Sequence, residues 1–227
     1  MARVNIIDYI TIASAGNATD FGNLIATVQA AASCSNSTRN ITGGGEESAG
    51  VDRIQYVTIA STGNATDFGD LTIAQANHCS GSSTTRGLWA GGIQWAVGDT
   101  NVISYVTIAS TGNATDFGDA TSTAEHPAGA SSNTRFLRGG GMSSSNVIDY
   151  VTIASTGNAT DFGDLTVGRG RLSATSNKDT YAVFIGGYNS NVIDYVTMAS
   201  TGNASDWGDC DANVQHAGAL SNNHGGL

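Results

Sequence analysis

Three histidines recur at nearly the same place in successive segments of the chain, where they could bind a metal ion or line a polar channel. They are His78, His126 and His216, each six or seven residues past Leu71, Ala120 or Cys210. Arg171 stands at this place in a fourth segment and Ala30 in a fifth. Imidazole is a common transition-metal ligand. Because two of the five segments lack the histidine, we favour polar residues lining a wet channel, and we expect no metal and no cofactor.

Basic and aromatic side chains form a second set of candidate ligand-binding residues. Three arginines precede hydrophobic segments at equivalent positions, where they could pair with repeated aspartates or contact a ligand: Arg39, Arg86 and Arg135. Three aromatic residues interrupt the regular pattern near Gly-Gly pairs: Trp89, Trp95 and Tyr188. Aromatic rings beside polar groups suit stacking on sugar rings, although packing is the simpler role for each.

Catalysis is not predicted. The sequence lacks a G-x-S-x-G nucleophile motif, an H-E-x-x-H zinc motif and a phosphate-binding loop, and its only glutamates are Glu46, Glu47 and Glu125. Its aspartates recur at equivalent positions and therefore share one environment, whereas general acid–base catalysis needs two unlike environments. We expect a protein that is not an enzyme.

A repeat must position these residues. The run ASTGNATDFGD occurs at 60–70, 109–119 and 154–164, with near-copies at 13–23 and 199–209. A tyrosine precedes each copy, and successive tyrosines are 47, 49, 45 and 45 residues apart: Tyr9, Tyr56, Tyr105, Tyr150 and Tyr195. A period of this size is typical of propellers and other repeat architectures.

Each period contains four short strand signals, shown by the unit 72–119: Gln75–Ser80, Arg86–Gly91, Val102–Ala109 and Thr115–Asp119. The third strand is apolar on both of its alternating faces, as expected of a strand covered on both sides. We therefore predict an all-β fold, a five-bladed β-propeller of four-stranded antiparallel blades in one domain spanning 1–227. The last blade would join N-terminal strands to C-terminal strands at Gln215–Ser221 and His224–Leu227. A linear β-solenoid is the alternative.

The repeated loop has a structural use for each of its residues. Glycine and asparagine supply a tight turn between the third and fourth strands, and the aromatic residue packs between blades. Aspartate and asparagine oxygens also suit calcium, but the spacing is not that of an EF-hand. The N-x-[ST] match in each copy is better explained by turn chemistry than by glycosylation, since no secretory signal is predicted.

Composition excludes several classes of partner. The net charge of −10 argues against nucleic acid and anionic lipid. No apolar run is long enough to span a membrane, so we expect no membrane insertion. The three cysteines predict neither a disulfide framework nor a zinc site. Without a predicted signal peptide, we expect synthesis in the cytoplasm.

The order of a small polar strand, a hydrophobic strand ending in Gly-Gly, a strand with tyrosine and a later aromatic residue resembles the kelch repeat. The Gly-Gly pairs are at 44–45, 91–92, 139–140, 186–187 and 225–226, and the aromatic residues are Phe21, Phe68, Phe117, Phe162 and Trp207. The chain departs from kelch in having phenylalanine for most of the expected tryptophans.

The sequence pattern IxYVTIASTGNATDFGDLT is also similar to that of repeat proteins of bacteriophages, especially marine and cyanobacterial phages. This resemblance implies a virion location, on a tail fibre or the capsid, in a structural or recognition module. Its partners would be other virion proteins or a host-surface glycan, with homo-oligomers possible. The alternatives are a free multivalent lectin with one weak sugar site per blade and a propeller hydrolase, which the missing acid–base pair disfavours.

Overall fold

A computed structural model describes residues 3–177 and 179–219, and within these it is built from β-strands without helices. Four sheets of four antiparallel strands follow one another along the chain, and we name them blades A to D. Blade A has β3 (Ala32–Ser35), β4 (Arg39–Gly43), β5 (Arg53–Thr58) and β6 (Thr66–Asp70). Blade B has β7 (Cys79–Ser82), β8 (Arg86–Ala90), β11 (Val102–Thr107) and β12 (Thr115–Asp119), with a small hairpin of β9 (Ile93–Gln94) and β10 (Gly98–Asp99) inserted after β8.

Blades C and D repeat this plan. Blade C has β13 (Ala128–Ser131), β14 (Arg135–Gly139), β15 (Val147–Thr152) and β16 (Thr160–Asp164), and blade D has β17 (Ser173–Ser176), β18 (Tyr181–Ile185), β19 (Val192–Thr197) and β20 (Ser205–Asp209). Before blade A, β1 (Val4–Tyr9) and β2 (Thr19–Val28) form a two-stranded sheet, the N-terminal hairpin. The architecture is all-β and propeller-like, as predicted.

A bulge gives the aromatic residue of each repeat its place. In blade B, Ile103 pairs with Gly118 while Ser104 pairs with Asp116, so Phe117 is the extra residue between them. Its ring is buried and makes an edge-to-face contact with Tyr105 at 5.6 Å between centroids. A bulge turns a side chain away from regular alternation, and here it directs Phe117 toward the next blade.

Apolar side chains of adjoining blades make up the core. One buried cluster combines Leu88 and Phe117 of blade B with Phe136 and Val151 of blade C, and corresponding clusters join A to B and C to D. The third strands of blades B and C are therefore covered on both faces, which explains why their sequences are apolar on both.

The eleven-residue repeat clips each blade to the one before it. Between blades A and B, Gly112 N donates to Phe68 O at 2.7 Å and Asp70 N donates to Asn113 Oδ1 at 3.1 Å. A Cβ at Gly69 would lie 2.5 Å from a backbone atom of Gly112, so only glycine permits the approach. The same asparagine contact, which we call the clip, occurs at four junctions through Asn64, Asn113, Asn158 and Asn203.

Two surfaces have no such contact among the described residues: the side of blade D that faces away from blade C, and the side of the N-terminal hairpin that faces away from blade A. Trp207 of β20 is 57 % exposed, whereas the phenylalanines at its equivalent positions in blades A to C are buried. Ile12 of the hairpin is 96 % exposed, whereas the equivalent Ile108, Ile153 and Met198 are buried and Ile59 is 45 % exposed. Each of these two surfaces thus exposes a residue whose equivalents are buried between blades A and B, B and C, and C and D.

The predicted C-terminal strands are only partly within the described residues. Of the predicted strand Gln215–Ser221, the described residues up to 219 form no strand. The remainder of that strand and all of His224–Leu227 lie outside the described residues. The four complete blades and the two-stranded hairpin are therefore what the structure establishes of the predicted ring.

Antiparallel order places the connections of each blade on two opposite faces. The connections between first and second strands and between third and fourth strands share one face, which we call the repeat face; it carries the repeated loops 59–65, 108–114, 153–159 and 198–204. The connections between second and third strands and between successive blades share the opposite, variable face, at 44–52, 71–78, 91–101, 120–127, 140–146, 165–172 and 186–191. The near-identical sequence thus lies on one face and the variation on the other.

Candidate functional site

The three repeated arginines make structural contacts within their own blade and with the next blade. Each guanidinium lies over the tyrosine of its own blade, at 4.6 to 4.8 Å from the ring centroid. Each also donates to a backbone carbonyl of the next blade: Arg39 to Ile108 O at 2.8 Å, Arg86 to Ile153 O at 2.7 Å and Arg135 to Met198 O at 2.7 Å. Their hydrogen-bond partners are these carbonyls and not the repeated aspartates.

Trp89 is likewise a packing residue, although the sequence places it among the candidate binding residues. Its side chain is fully buried in the core between blades A and B, and Nε1 donates to Ala32 O at 3.1 Å. Its ring lies against Gly43, where a Cβ would be only 2.8 Å from an indole carbon. A ligand in solvent therefore has no access to it.

Trp95 and Tyr188, in contrast, are exposed on the variable face. Trp95 lies in the turn between β9 and β10 and is 52 % exposed, and Tyr188 follows β18 and is 55 % exposed. Trp95 packs one edge against blade A at Gly50, where a Cβ would lie 2.7 Å from Cδ1. The guanidinium of Arg171 lies over the ring of Tyr188, 5.5 Å from its centroid.

The first strands β3, β7, β13 and β17 contact one another at the centre of the fold, which we call the axis. Five residues at equivalent places follow one another there, four of them just before these strands and the fifth, His216, after blade D. We call them the axial residues: Ala30, Asn77, His126, Arg171 and His216. All have left-handed backbone conformations, with φ between 53° and 60°. Each of the last four donates its N–H to the carbonyl of the preceding member, at 3.0, 2.9, 3.1 and 3.1 Å.

His78 is one residue out of step with the other two histidines, which corrects their grouping. Asn77 holds the axial place, and His78 is buried behind it with Nε2 3.1 Å from Gly43 O. Burial lowers the pKa of His78 to about 4, and two backbone hydrogen bonds only partly oppose this. The side chain is therefore neutral at physiological pH and belongs to the core.

His126 and His216 meet at the axis, with ring centroids 5.0 Å apart in an edge-to-face arrangement. A cavity of about 260 Å³ lies beside them, lined by the axial residues and the residue after each. Glu125 borders the cluster: its Oε1 is 3.4 Å from His126 Nε2 and accepts a hydrogen bond from Asn77 at 2.8 Å. Burial lowers the pKa of His126, as do His216 and Arg171, while Glu125 raises it.

Within 3–177 and 179–219, no three histidine, cysteine or acidic side chains converge as a metal site would require. Cys34 and Cys79 are free and buried, and burial raises the pKa of each thiol to about 12. The described chain also has no helix with the length and apolar character of a membrane span.

Sequence reasoning missed two buried ion pairs beneath the variable face. Arg138 binds Asp149 through two hydrogen bonds of 3.0 and 2.6 Å, and Arg169 binds Asp194 at 2.7 Å. Both aspartates sit in third strands, where blade B has Ser104 at the equivalent place. The sequence signal is a charged residue within an otherwise apolar strand, which has to find a partner when buried.

A second cavity, of about 600 Å³, separates the N-terminal hairpin from blade A. Its lining includes Ile6 and Leu24 from the hairpin and Gln55 and Tyr56 from β5. Gln55 Oε1 accepts a hydrogen bond from Ile25 N at 2.8 Å across this junction.

Comparison with known proteins supports the fold. No family model matches the chain, and no curated protein matches it. Among solved structures that match, the structure of YjhT aligns with a TM-score of 0.71 at 9 % identity, covering 90 % of this chain and 77 % of that one. Identity this low shows a shared fold and nothing about activity, so the chain is similar to YjhT in its propeller-like architecture.

Proposed function

We propose that this chain is a non-enzymatic recognition module of a bacteriophage virion, on a tail fibre or the capsid, that binds a host-surface glycan or another virion protein through its variable face. The observation that carries the proposal is the exposure of Trp95 and Tyr188 on that face, while the equivalent region of the repeat face is taken up by clips between blades. The virion location is supported by the resemblance of the repeat to phage proteins.

The two exposed aromatic residues have the surroundings that sugar binding uses. An indole or phenol ring offers a flat apolar face for the C–H side of a sugar, and nearby polar groups bind its hydroxyls. Tyr188 has Arg171 against its ring, and Trp95 is held at one edge by the adjoining blade. Rings held in this way lose little conformational entropy on binding.

For the fold, we extend the proposal to a five-bladed ring whose last blade combines β1 and β2 with strands from the C-terminal end. The five axial residues support this count, since four precede first strands and His216 shares their left-handed conformation and backbone hydrogen bond. The exposed Trp207 and Ile12 also support it, because the equivalent residues are buried at the three junctions between blades A and B, B and C, and C and D. The cavity beside the N-terminal hairpin lies where the inner strands of that blade would pack.

A glycan array that includes bacterial surface polysaccharides, probed with the labelled protein, tests the recognition function. We expect binding to one class of sugar, and loss of that binding in Trp95→Ala and Tyr188→Ala. Thr111→Ala, at an exposed position in a repeat-face loop, is the matched control and should bind as the parent does. Binding that survives both aromatic substitutions would contradict the assignment of the variable face.

Mass spectrometry of purified phage particles tests the virion location. The chain should be present at a fixed ratio to the major capsid protein. If it binds sugar but is absent from particles, it is a free lectin. In that case the structure favours fewer sites than one per blade, because exposed aromatic residues occur on the variable face of blades B and D only, among the described residues.

A further inference from the structure

Arg171 stands apart from the other arginines of the chain. Of the eight arginines, four pair with carboxylates and three donate to backbone carbonyls. Arg171 has neither kind of acceptor among the described residues, and its Nε is buried without a hydrogen-bond partner. A guanidinium cannot shed its charge, so a half-buried one without an acceptor is a strong attractor for an anion.

The surroundings hold Arg171 in place while leaving it unneutralised. Its guanidinium lies over the ring of Tyr188, and its backbone N–H is fixed to His126 O at 3.1 Å. The nearby carboxylate, Glu125, is engaged by Asn77 and by the imidazole of His126. Stacking on an aromatic ring orients a guanidinium but supplies no hydrogen-bond acceptor.

Three potential donors converge on the same cavity. Arg171, His126 and His216 all line it, and the two imidazoles are in contact with each other. Their ring nitrogens can donate to an anion, and protonation strengthens that donation.

The geometry points to an oxyanion-binding site at the axis of the propeller, in which Arg171 binds the anion and His126 and His216 complete its contacts. The ligand class is a small carboxylate or sulfate-like group, alone or at the end of a larger molecule. The volume of about 260 Å³ limits what enters fully. A larger ligand would extend across Tyr188 on the variable face.

Binding at this site is expected to be coupled to a proton. The groups facing His126 are Glu125, His216 and Arg171; burial is the leading cause that lowers its pKa, and the last two add to it. A bound anion would oppose the effect of the Arg171 charge and raise the pKa of His126. The affinity should therefore increase as the pH falls from 8 to 6.

The test uses the whole chain, with histidines labelled with ¹³C, and follows the imidazole signals of His126 and His216 by NMR. Sodium acetate and sodium sulfate are the two probes, each titrated at constant ionic strength. Both keep their charge between pH 6 and 8. We expect saturable shifts of these two histidines with one or both probes. A response to acetate indicates that the site prefers a planar carboxylate, and a response to sulfate that it prefers a tetrahedral anion.

Variants distinguish binding of the anion at this site from a general effect of salt on the charges of the protein. Arg171→Gln should weaken the response roughly tenfold or more, because it removes a charge-assisted hydrogen bond. Arg171→Lys should give an intermediate affinity, since it keeps the charge but loses the planar guanidinium that donates two parallel hydrogen bonds. Arg53→Gln, which removes an arginine paired with Glu47, is the matched control and should leave the response unchanged.

Two results would overturn the site. The first is a linear, non-saturating shift of equal size in the parent and in Arg171→Gln, with far-UV circular dichroism confirming that the variant is folded. The second is an affinity that does not increase between pH 8 and pH 6, which would remove His126 from the contacts. Neither result bears on glycan binding through Trp95, so the two proposals fail independently.

Discussion

Trp89 and Trp95 are the same residue type six positions apart, yet the structure gives them opposite roles. Trp89 is fully buried, with a hydrogen bond to Ala32 O and its ring against Gly43. Replacing a buried aromatic side chain by alanine costs about 3–5 kcal/mol. The Ala32 carbonyl would also lose its partner. Because a domain of this kind is stable by only about 5–15 kcal/mol, Trp89→Ala should remove roughly a fifth or more of the free energy of unfolding.

Trp95→Ala should change that free energy by about 1 kcal/mol or less, since half of the side chain is already in water. Urea unfolding followed by far-UV circular dichroism measures both variants; tryptophan emission is unsuitable because each variant removes a fluorophore. Trp89→Phe should lie between the two, because it keeps most of the apolar volume but loses the hydrogen bond. Equal losses in Trp89→Ala and Trp95→Ala would refute the assignment of Trp89 to the core.

Four further outcomes are expected, each read by urea unfolding. Gly118→Ala should destabilise the fold by about 1–3 kcal/mol because of the φ of +140° at this position. A further loss should come from the added Cβ, which would lie 2.6 Å from the backbone of Gly157. An unchanged midpoint of urea unfolding would show that the close approach of these two loops does not constrain the fold. Asp194→Ala should cost about 3–5 kcal/mol because it leaves Arg169 buried and unpaired, and a neutral result would contradict that pairing. If blade D packs against the N-terminal hairpin, Trp207→Ala should destabilise the chain as much as the loss of an equivalent buried phenylalanine. A small effect would show that Trp207 is not covered by the hairpin. An effect that grows with protein concentration would indicate that a second copy of the chain covers it. The pKa of His78 is about 4 in the folded chain and 6.5 for the free side chain, so folding favours the neutral form. The free energy of unfolding should therefore decrease as the pH falls from 6.5 toward 4, and should decrease less in His78→Gln. Identical pH profiles of the two proteins would exclude His78 as the cause.

The repeat and most strand positions follow from the sequence. The predicted fourth strand of the second unit, Thr115–Asp119, agrees with β12, and the predicted third strand differs from β11 only at its end. The first strand is the exception: it is predicted from Gln75 but begins at Cys79. Asn77 takes a left-handed conformation at the axis, and nothing in the local pattern distinguishes that turn from a strand of small polar residues.

The contacts between blades could not be derived from the sequence. The asparagine of the repeat suits its own turn, so the turn alone explained it, whereas Asn113 in fact accepts from Asp70 N in the preceding blade. The arginines present the same difficulty: Arg86 binds a carbonyl 67 residues away. Such partners are set by the packing of one blade on the next, which no local window contains.

The candidate site was predicted in part. The sequence brought His126, His216 and Arg171 to equivalent places, and the structure puts all three at one cavity. It could not separate His78 from them, because a shift of one residue changes an axial position into a core position. It also could not separate Trp89 from Trp95, since both lie near the same Gly-Gly pair and only the inserted β9–β10 hairpin exposes the second.

The central claim is that the repeat face holds the blades together while the variable face binds a ligand. The most direct test is hydrogen–deuterium exchange in the presence of a polysaccharide selected on the array. The account predicts that protection on binding is confined to the variable face, chiefly to 91–101 and 186–191, which carry Trp95 and Tyr188. Protection centred on the repeated loops at 59–65, 108–114 and 153–159 would contradict it, and would make the repeat itself the binding site.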